Sequence, residues 1–235
     1  MHRIGLIGGM SWESTAVYYR RINEQVRTRL GGLHSADIVM RSLDFDGIVA
    51  LQKSEKWEDA ARQLADAGRE LEAAGAGILL ICTNTMHKVV HAVQQAVSVP
   101  VLHIADVTGE AMLATTCRHP LLLATRYTME QPFYRQHLAD QFGLDVLVPE
   151  AADRCAVHDI IFDELCQGMI RADSRKVYLD IIARGVEKGA DSVILGCTEI
   201  GLLIGPDDLS LPSFDTTLLH ADSAVDFALR ARRAA

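Results

Sequence analysis

Short, nearly continuous apolar runs alternate along this 235-residue chain with longer stretches whose apolar residues recur at helical spacing. Strands that are apolar on both faces are typical of parallel sheets covered by helices on both sides. The predicted strands are 4–7, 38–40, 78–82, 99–102, 121–124, 146–148 and 193–196. The predicted helices are 14–30, 55–74, 86–96, 130–142, 157–170 and 174–188, with Ser14 and Ser174 as possible N-caps. This alternation predicts an α/β fold.

An internal repeat indicates that the chain has two similar halves. E-A-A-G-A-G-I-L-L-I-C-T-N-T (72–85) resembles V-E-K-G-A-D-S-V-I-L-G-C-T-E (186–199), and residues 4–22 resemble residues 121–138. We therefore predict two pseudo-symmetric α/β domains, each a mainly parallel sheet flanked by helices. The first comprises residues 1–102 plus 215–235, and the second comprises residues 103–214. The last helix, from about residue 219 to residue 233, is expected to pack on the first half.

Polar and small residues follow several of the predicted strands. Ligands of parallel α/β sheets bind beyond the carboxyl ends of the strands. The candidate segments are 8–11, 82–85, 125–128 and 197–199. The sequence therefore predicts an active site in the cleft between the two domains, where these segments would converge.

The register of the repeat determines which residues are equivalent. Aligning Gly75-Ala76 with Gly189-Ala190 gives an offset of 114 (189 − 75), which pairs Thr83 with Cys197. Pairing Cys82 with Cys197 instead needs an offset of 115 (197 − 82) and breaks the Gly-Ala match. A one-residue slip turns a strand side chain to the opposite face of its sheet. We predict that Cys82 packs inside the sheet, and the simple cysteine pairing remains the alternative.

Composition excludes several classes of protein. The chain is 49% hydrophobic and 23% charged with a net charge of −8, and it has no basic block of the kind that binds nucleic acid. No signal peptide is evident, and no apolar run approaches the roughly 18 residues of a membrane helix. The five cysteines show no C-x-x-C spacing, so we expect free thiols and a cytoplasmic location.

Metal and cofactor motifs are also weak in this sequence. His87 and His91 have the i, i+4 spacing of a metal pair, but a third ligand at suitable spacing is missing. The glycines at 5, 8 and 9 do not complete a dinucleotide-binding loop, and no lysine lies in a recognisable pyridoxal-phosphate site. We expect neither a metal nor a cofactor. Cys117, Cys155 and Cys166 are interpreted as structural, although Cys166 lies in a segment that is expected to border the pocket.

Three motifs resemble those of the aspartate/glutamate racemase family. They are I-G-L-I-G-G-M-S-W-E-S-T (4–15), T-N-T-M-H (83–87) and G-C-T-E-I (196–200). The first resembles the aspartate-racemase branch and lacks the D-S-G start of typical glutamate racemases. The resemblance implies a cofactor-independent homodimer in which a cysteine on each side of the substrate's α-carbon removes or returns the α-proton. Thiols suit this role because a polarised site can lower their pKa.

Two departures from the family pattern are visible. The usual first cysteine is replaced by Thr83, so the resemblance implies a Thr/Cys site in which Cys197 is the main acid/base, serves the L-enantiomer, and faces a weaker Thr83. The lysine that clamps a distal carboxylate is replaced by Cys166, which leaves Arg41, Lys88 or Arg126 as possible sources of charge.

The remaining site residues are assigned by their positions in the matching motifs. Asn84, Thr85 and Thr198 are expected to hold the α-carboxylate and α-amino groups of the substrate. Glu199 is expected either to bind the ammonium group or to poise Cys197. The residues expected to line the site are Met10, Ser11, Gln52, Thr125 and Thr128.

The predicted function is racemisation of a free amino acid, either aspartate or glutamate or a broader set, without pyridoxal phosphate. Neither nucleic acid nor membrane is an expected partner. One alternative keeps the fold and changes the chemistry to decarboxylation or isomerisation of dicarboxylates. A second alternative is a catalytically weak amino-acid-binding protein, because a threonine hydroxyl is a very poor base at neutral pH.

Overall fold

The computed structural model describes residues 1–233. The strands are β1 (Ile4–Gly8), β2 (Ile38–Ser42), β3 (Ile78–Ile81), β4 (Val101–Leu102), β5 (Pro120–Leu123), β6 (Ser192–Leu195) and β7 (Ser213–Asp215). The α-helices are α1 (Trp12–Leu30), α2 (Phe45–Lys53), α3 (Trp57–Ala73), α4 (Val90–Ala96), α5 (Ile104–Leu113), α6 (Arg126–Glu130), α7 (Pro132–Phe142), α8 (Ala151–Asp163), α9 (Ala172–Glu187), α10 (Ile200–Leu203) and α11 (Thr216–Arg233). Short 3₁₀ helices cover Thr85–Val89, Leu165–Gln167 and Pro206–Asp208.

The chain forms two compact units. Unit 1 contains Met1–Ile104 and His220–Ala235, and unit 2 contains Ala105–Leu219. Unit 1 has a four-stranded sheet in the order β2-β1-β3-β4, and unit 2 has a three-stranded sheet in the order β5-β6-β7. All strand pairs in both sheets are parallel, so the α/β prediction is confirmed. The predicted domains, 1–102 plus 215–235 and 103–214, lie close to these bounds.

The sheet of unit 1 is covered on both faces. Side chains alternate along each strand, and Ile7, Leu79 and Ile81 belong to a core cluster with α3. Leu6 and Leu80 belong to a second cluster that α1 and α11 complete. The α11 members of this second cluster are Ala221, Ala224, Val225 and Ala228. The last helix therefore packs on the first half, as its position in the sequence predicts.

The sheet of unit 2 has β6 at its centre. Every residue of β5 and β6 is buried, which explains their continuous apolar sequence. Gly185 of α9 lies against β5, because a Cβ at this position would come within 2.6 Å of the Leu121 side chain. None of the helices in residues 1–233 combines the length and apolarity needed to cross a bilayer.

Two predicted elements are wrong. Residues 146–148 form only an isolated bridge, Leu121↔Leu147, and Pro149 has no N–H with which to continue the pairing. The helix predicted over 157–170 continues too far, because α8 spans Ala151–Asp163. It is followed by the 3₁₀ turn Leu165–Gln167 and by Gly168, whose φ of 71° is left-handed. Apolar spacing does not register such a break, because Leu165 in the turn is also buried.

The predicted helix caps are also wrong. The N-cap of α1 is Ser11, whose side chain accepts a hydrogen bond from the Ser14 N–H at 3.5 Å. The N-cap of α9 is Arg171, and the Ser174 hydroxyl instead donates to Glu164. Helices α2, α5, α6 and α10 and strand β7 are additional to the predicted set. These differences leave the strand ends where the sequence analysis placed them.

Candidate active site

The backbone of the two units repeats with the predicted offset. Strand β3 spans residues 78–81 and β6 spans residues 192–195, so their first residues are 114 apart (192 − 78) and their last residues are too (195 − 81). Gly75 and Gly189 follow α3 and α9 with φ angles of 90° and 97°. The Ala76 N–H donates to the Leu71 carbonyl, and the Ala190 N–H makes the equivalent bond to Gly185. Thr83 and Cys197 therefore occupy equivalent positions in their own units.

Cys82 lies in the hydrophobic core of unit 1. Its side chain is fully buried in the cluster that contains Ile4, Leu6 and Leu80. Burial raises the pKa of the Cys82 thiol far above its ordinary value, because no nearby group compensates for the loss of solvation. Thr83, one residue later, is partly exposed. The prediction that Cys82 is a packing residue is confirmed, and the catalytic role of Thr83 remains a prediction.

In unit 1, the ends of two neighbouring strands bring the predicted site residues to one edge of the sheet. Ile7 of β1 pairs with Ile81 of β3, so the segments that follow these strands lie side by side. The first segment carries Met10 and Ser11, and the second carries Thr83, Asn84 and Thr85. All of these side chains except that of Thr83 are at least 95% buried.

Gln52 reaches the same segment from α2. Its side-chain amide lies 3.2 Å from the sulfur of Met86, which directly follows Thr85. Gln52 is 3% exposed, which is low for a polar side chain. The structure therefore places this predicted lining residue beside the strand-end segment.

Two of the three possible sources of positive charge lie in unit 1 and already have partners. The Arg41 guanidinium forms an exposed ion pair with Glu70 at 2.8 Å. The Lys88 ammonium lies 3.9 Å from the centre of the Trp57 ring, and partial burial lowers its pKa. Each cation therefore already has a contact within its own unit.

His87 and His91 are differently situated despite their metal-like spacing. His87 is buried, and both of its ring nitrogens are engaged: Nδ1 with the Thr83 carbonyl at 2.8 Å and Nε2 with the Ile104 N–H at 3.2 Å. His91 is exposed, and its Nε2 is 2.8 Å from the Gln95 amide. A metal bound to His87 would have to displace one of two backbone partners.

In unit 2, the segment after β6 contains a compact polar group. The Cys197 thiol donates to Oε2 of Glu199 at 3.0 Å, and the Thr198 hydroxyl donates to the same oxygen at 2.9 Å. Glu199 is 2% exposed and Cys197 is 8% exposed. Buried carboxylates require such donors, because desolvation without them costs several kcal/mol. Glu199 therefore lies within hydrogen-bond distance of Cys197, and its role in binding the ammonium group or poising Cys197 remains a prediction.

Burial and negative charge together set the protonation state of Cys197. Burial raises the pKa of this thiol well above its ordinary value, and the nearby Glu199 carboxylate and Cys166 raise it further. Cys197 is therefore a protonated thiol at neutral pH. The buried Tyr178 of α9 has a pKa that is raised mainly by burial and then by Cys197 and Glu199, which shows that its phenol lies near this group. No sequence motif identifies Tyr178, because it follows the ordinary spacing of a helix core.

The other predicted residues of unit 2 follow β5, the neighbour of β6. Thr125 occupies the N-cap position of α6, and its hydroxyl lies 3.4 Å from that of Thr128. Leu123 pairs with Leu195, so these threonines are at the same sheet edge as Cys197. Arg126, the third possible source of charge, is exposed and lies over the Tyr127 ring, with 5.1 Å between the guanidinium carbon and the ring centre.

The sequence of the chain resembles those of known proteins. The family model described as Asp/Glu/Hydantoin racemase matches residues 7–224. The chain is 21% identical over 223 residues to the broad-specificity amino-acid racemase RacX of Bacillus subtilis (strain 168), which covers 94% of this chain and 96% of that protein.

Two crystal structures extend the comparison. A proposed Asp/Glu racemase from Yersinia pestis has 48% sequence identity and a TM-score of 0.90, and the match covers 98% of this chain and 100% of that one. An aspartate racemase homologue from Pyrococcus horikoshii OT3 has 34% identity and a TM-score of 0.84 and covers 97% and 99% of the two chains. The chain therefore belongs to the Asp/Glu/Hydantoin racemase family, and the predicted class of enzyme, an amino-acid racemase, is confirmed.

Proposed function

We propose that this chain racemises a free amino acid without a cofactor, with Cys197 as the main acid/base and Thr83 acting on the opposite face of the α-carbon. The observation that carries the proposal is the hydrogen bond from the Cys197 thiol to the buried Glu199 carboxylate at 3.0 Å. This bond gives the thiol proton an acceptor at the place where the family resemblance puts the base. The matching register of Thr83 in unit 1 supports its role as the counterpart.

Proton transfer at Cys197 follows from its electrostatics. A thiol must lose its proton before it can remove another, and the raised pKa of Cys197 keeps the proton in place while the site is empty. A substrate ammonium group beside Glu199 would offset the negative charge that raises this pKa. The thiol proton can then pass to Glu199, and the thiolate sulfur takes the α-proton of the L-enantiomer. The resulting carbanion either regains a proton from Cys197 or receives the Thr83 hydroxyl proton on the opposite face. In the second case solvent water carries the Glu199 proton to the Thr83 alkoxide, which restores the starting protonation states.

The remaining site residues are proposed to bind the substrate. Asn84, Thr85 and Thr198 hold the α-carboxylate and α-amino groups, and the lining residues are Met10, Ser11, Gln52, Thr125 and Thr128. The substrate class includes aspartate and glutamate and extends to neutral amino acids. The broad-specificity Bacillus relative supports this range, and so does the uncharged Cys166 at the position of the clamping lysine.

The family resemblance extends the proposal to assembly and location. We propose that the protein is a homodimer of the cytoplasm. The cysteines within residues 1–233 form no disulfide, which suits a reducing compartment. Sedimentation at several concentrations tests the dimer.

A proton-exchange screen tests the proposed activity directly. Both enantiomers of the common amino acids are incubated with the protein in D2O, and loss of the α-hydrogen signal is followed by ¹H NMR. We expect exchange with at least one amino acid, and we expect Cys197→Ala to abolish it. Cys155→Ala, which changes an exposed thiol, is the matched control and should exchange at the wild-type rate. Binding of an amino acid without any exchange, or exchange that survives Cys197→Ala, would contradict the proposal. Carbon dioxide release from a substituted malonate would favour a decarboxylase.

A further inference from the structure

The imidazole of His87 joins two backbone segments of unit 1. It lies 2% exposed between the carbonyl of Thr83, at the end of β3, and the N–H of Ile104, the first residue of α5. The first N–H groups of a helix have no partner within the helix, so the bond to Ile104 also satisfies one of them. His87 therefore contacts the predicted site through the main chain of Thr83.

The two partners determine which tautomer His87 adopts. A carbonyl oxygen can only accept a hydrogen bond, so Nδ1 must carry a proton and donate it to Thr83. The Ile104 N–H can only donate, so its bond requires an unprotonated Nε2, and the Leu102 backbone, which raises the pKa of the ring, is the competing partner. Burial and the neighbouring His103 and His220 lower the pKa of His87 well below its ordinary value, so the neutral ring persists at neutral pH.

Three hydrogen bonds fix the backbone around Thr83. The Thr83 N–H donates to the Ile81 carbonyl at 2.8 Å, and the Thr83 carbonyl accepts from His87 at 2.8 Å. The His87 N–H in turn donates to the Asn84 carbonyl at 3.0 Å. Both peptide groups that flank the Thr83 Cα are thereby held, and the direction of the Thr83 Cα–Cβ bond follows from them.

Unit 2 holds the equivalent position differently. Gly201 stands where the repeat would place a counterpart of His87 (201 − 87 = 114), so it has no side chain for this purpose. The Cys197 carbonyl accepts instead from the Ile200 N–H at 3.1 Å, and the thiol itself is bound by Glu199. The imidazole bond is therefore specific to the threonine side of the repeat.

We infer that His87 is a positioning residue for Thr83, because its Nδ1–H holds the Thr83 carbonyl and thereby fixes the Cα–Cβ bond that carries the hydroxyl. This inference rests on the proposed function, in which Thr83 delivers a proton to the face opposite Cys197. The two proposed roles predict two events that can be measured separately. Exchange of the α-hydrogen of an L-amino acid with retention needs only Cys197, whereas inversion to the D-enantiomer needs Thr83 as well.

Two nearly isosteric substitutions of His87 each keep one of the two contacts of the imidazole and remove the other. An asparagine amide occupies about the position of Nδ1, so His87→Asn keeps a donor for the Thr83 carbonyl. A glutamine amide occupies about the position of Nε2, so His87→Gln keeps a partner for Ile104 and loses the bond to Thr83. His91→Gln changes an exposed histidine four residues away and is the matched control.

The readout is the ratio of inversion to retained exchange for an L-substrate in D2O, measured by NMR and chiral chromatography. We expect His87→Gln to lower this ratio about tenfold or more, because misplacing a reacting group by about 1 Å can cost a hundredfold. His87→Asn and His91→Gln should stay within about twofold of wild type. An unchanged ratio in His87→Gln overturns the inference, and so does an equal fall of inversion and exchange in both His87 variants, since that indicates a general structural role.

A second measurement needs neither activity nor a variant that folds. Long-range ¹H–¹⁵N NMR of the wild-type protein reports which imidazole nitrogen of His87 is protonated. We expect the Nδ1–H tautomer at neutral pH, and the Nε2–H tautomer would overturn the inference. Absence of α-hydrogen exchange in the wild-type protein, by contrast, overturns the proposed function. The tautomer of His87 is measured independently of that result.

Discussion

Replacing Cys82 with alanine removes one sulfur atom from the packed core of unit 1. The Cys82 side chain is fully buried in the cluster that includes Ile4 and Leu6. Losing a group of about methyl size costs about 0.8 kcal/mol of transfer free energy. The cavity left behind adds about 24 cal/mol per Å³ of empty volume. We expect the free energy of unfolding to fall by about 1–2 kcal/mol.

The same substitution should leave the chemistry intact. Gly196 occupies the equivalent position in unit 2 and has no side chain, so the repeat does not require a thiol there. We therefore expect the rate of α-proton exchange in Cys82→Ala to stay within about twofold of wild type. Urea unfolding measures the loss of stability, and ¹H NMR in D2O measures the exchange.

The matched control is Cys155→Ala, which removes an exposed thiol and should change stability by less than about 0.5 kcal/mol. A Cys82→Ala protein of wild-type stability that has lost exchange would refute the register and restore Cys82 as the partner of Cys197.

Three further predictions concern the threonine, the carboxylate and the buried histidines. Thr83→Cys should raise the rate of inversion about tenfold or more, because a thiol can ionise near neutral pH and a hydroxyl cannot. Chiral chromatography measures the rate of inversion, and no increase would argue against Thr83 as the counterpart of Cys197. Glu199→Gln removes a charge that raises the pKa of Cys197, so the pH profile of Cys197 alkylation by iodoacetamide should shift to lower pH, and an unchanged profile would contradict the assigned contact. Burial lowers the pKa of His220 to about 3, below its value in the unfolded chain, so the unfolded state binds the extra proton first as the pH falls. The free energy of unfolding should therefore fall as the pH drops below about 6.5, by up to about 1.4 kcal/mol per pH unit for this group. Urea unfolding between pH 7 and pH 4 checks this, and His220→Gln should reduce the slope, leaving the contribution of His87.

The sequence predicts the strand ends well because two independent signals coincide there. Buried parallel strands are apolar throughout. Just before β3 and β6 the backbone is left-handed, and glycine occupies those positions, Gly75 and Gly189. These glycines fix the register of β3 and β6 to the residue. A one-residue change of register would have reversed the faces of Cys82 and Thr83.

Other features depend on contacts that a linear pattern does not encode. The break after Asp163 is set by the backbone of Glu164 and Gly168, while Leu165 remains buried as in a helix. The bond from His87 to Thr83 is recognisable only once Ile104 is known to approach the same ring. The pKa of Cys197 depends on burial and on Glu199 and Cys166, and Cys166 is 31 residues away in the sequence (197 − 166) and comes near only in the fold.

The most direct test of the central claim compares the two enantiomers of one substrate in D2O. Cys197 is proposed to serve the L-enantiomer, and Thr83 is proposed to be the weaker group on the opposite face. The initial rate of α-hydrogen loss is measured by ¹H NMR for L- and D-aspartate, or for whichever amino acid exchanges fastest. We predict that the L-enantiomer loses its α-hydrogen faster. Loss from the D-enantiomer at an equal or higher rate would contradict the proposed asymmetry between Cys197 and Thr83.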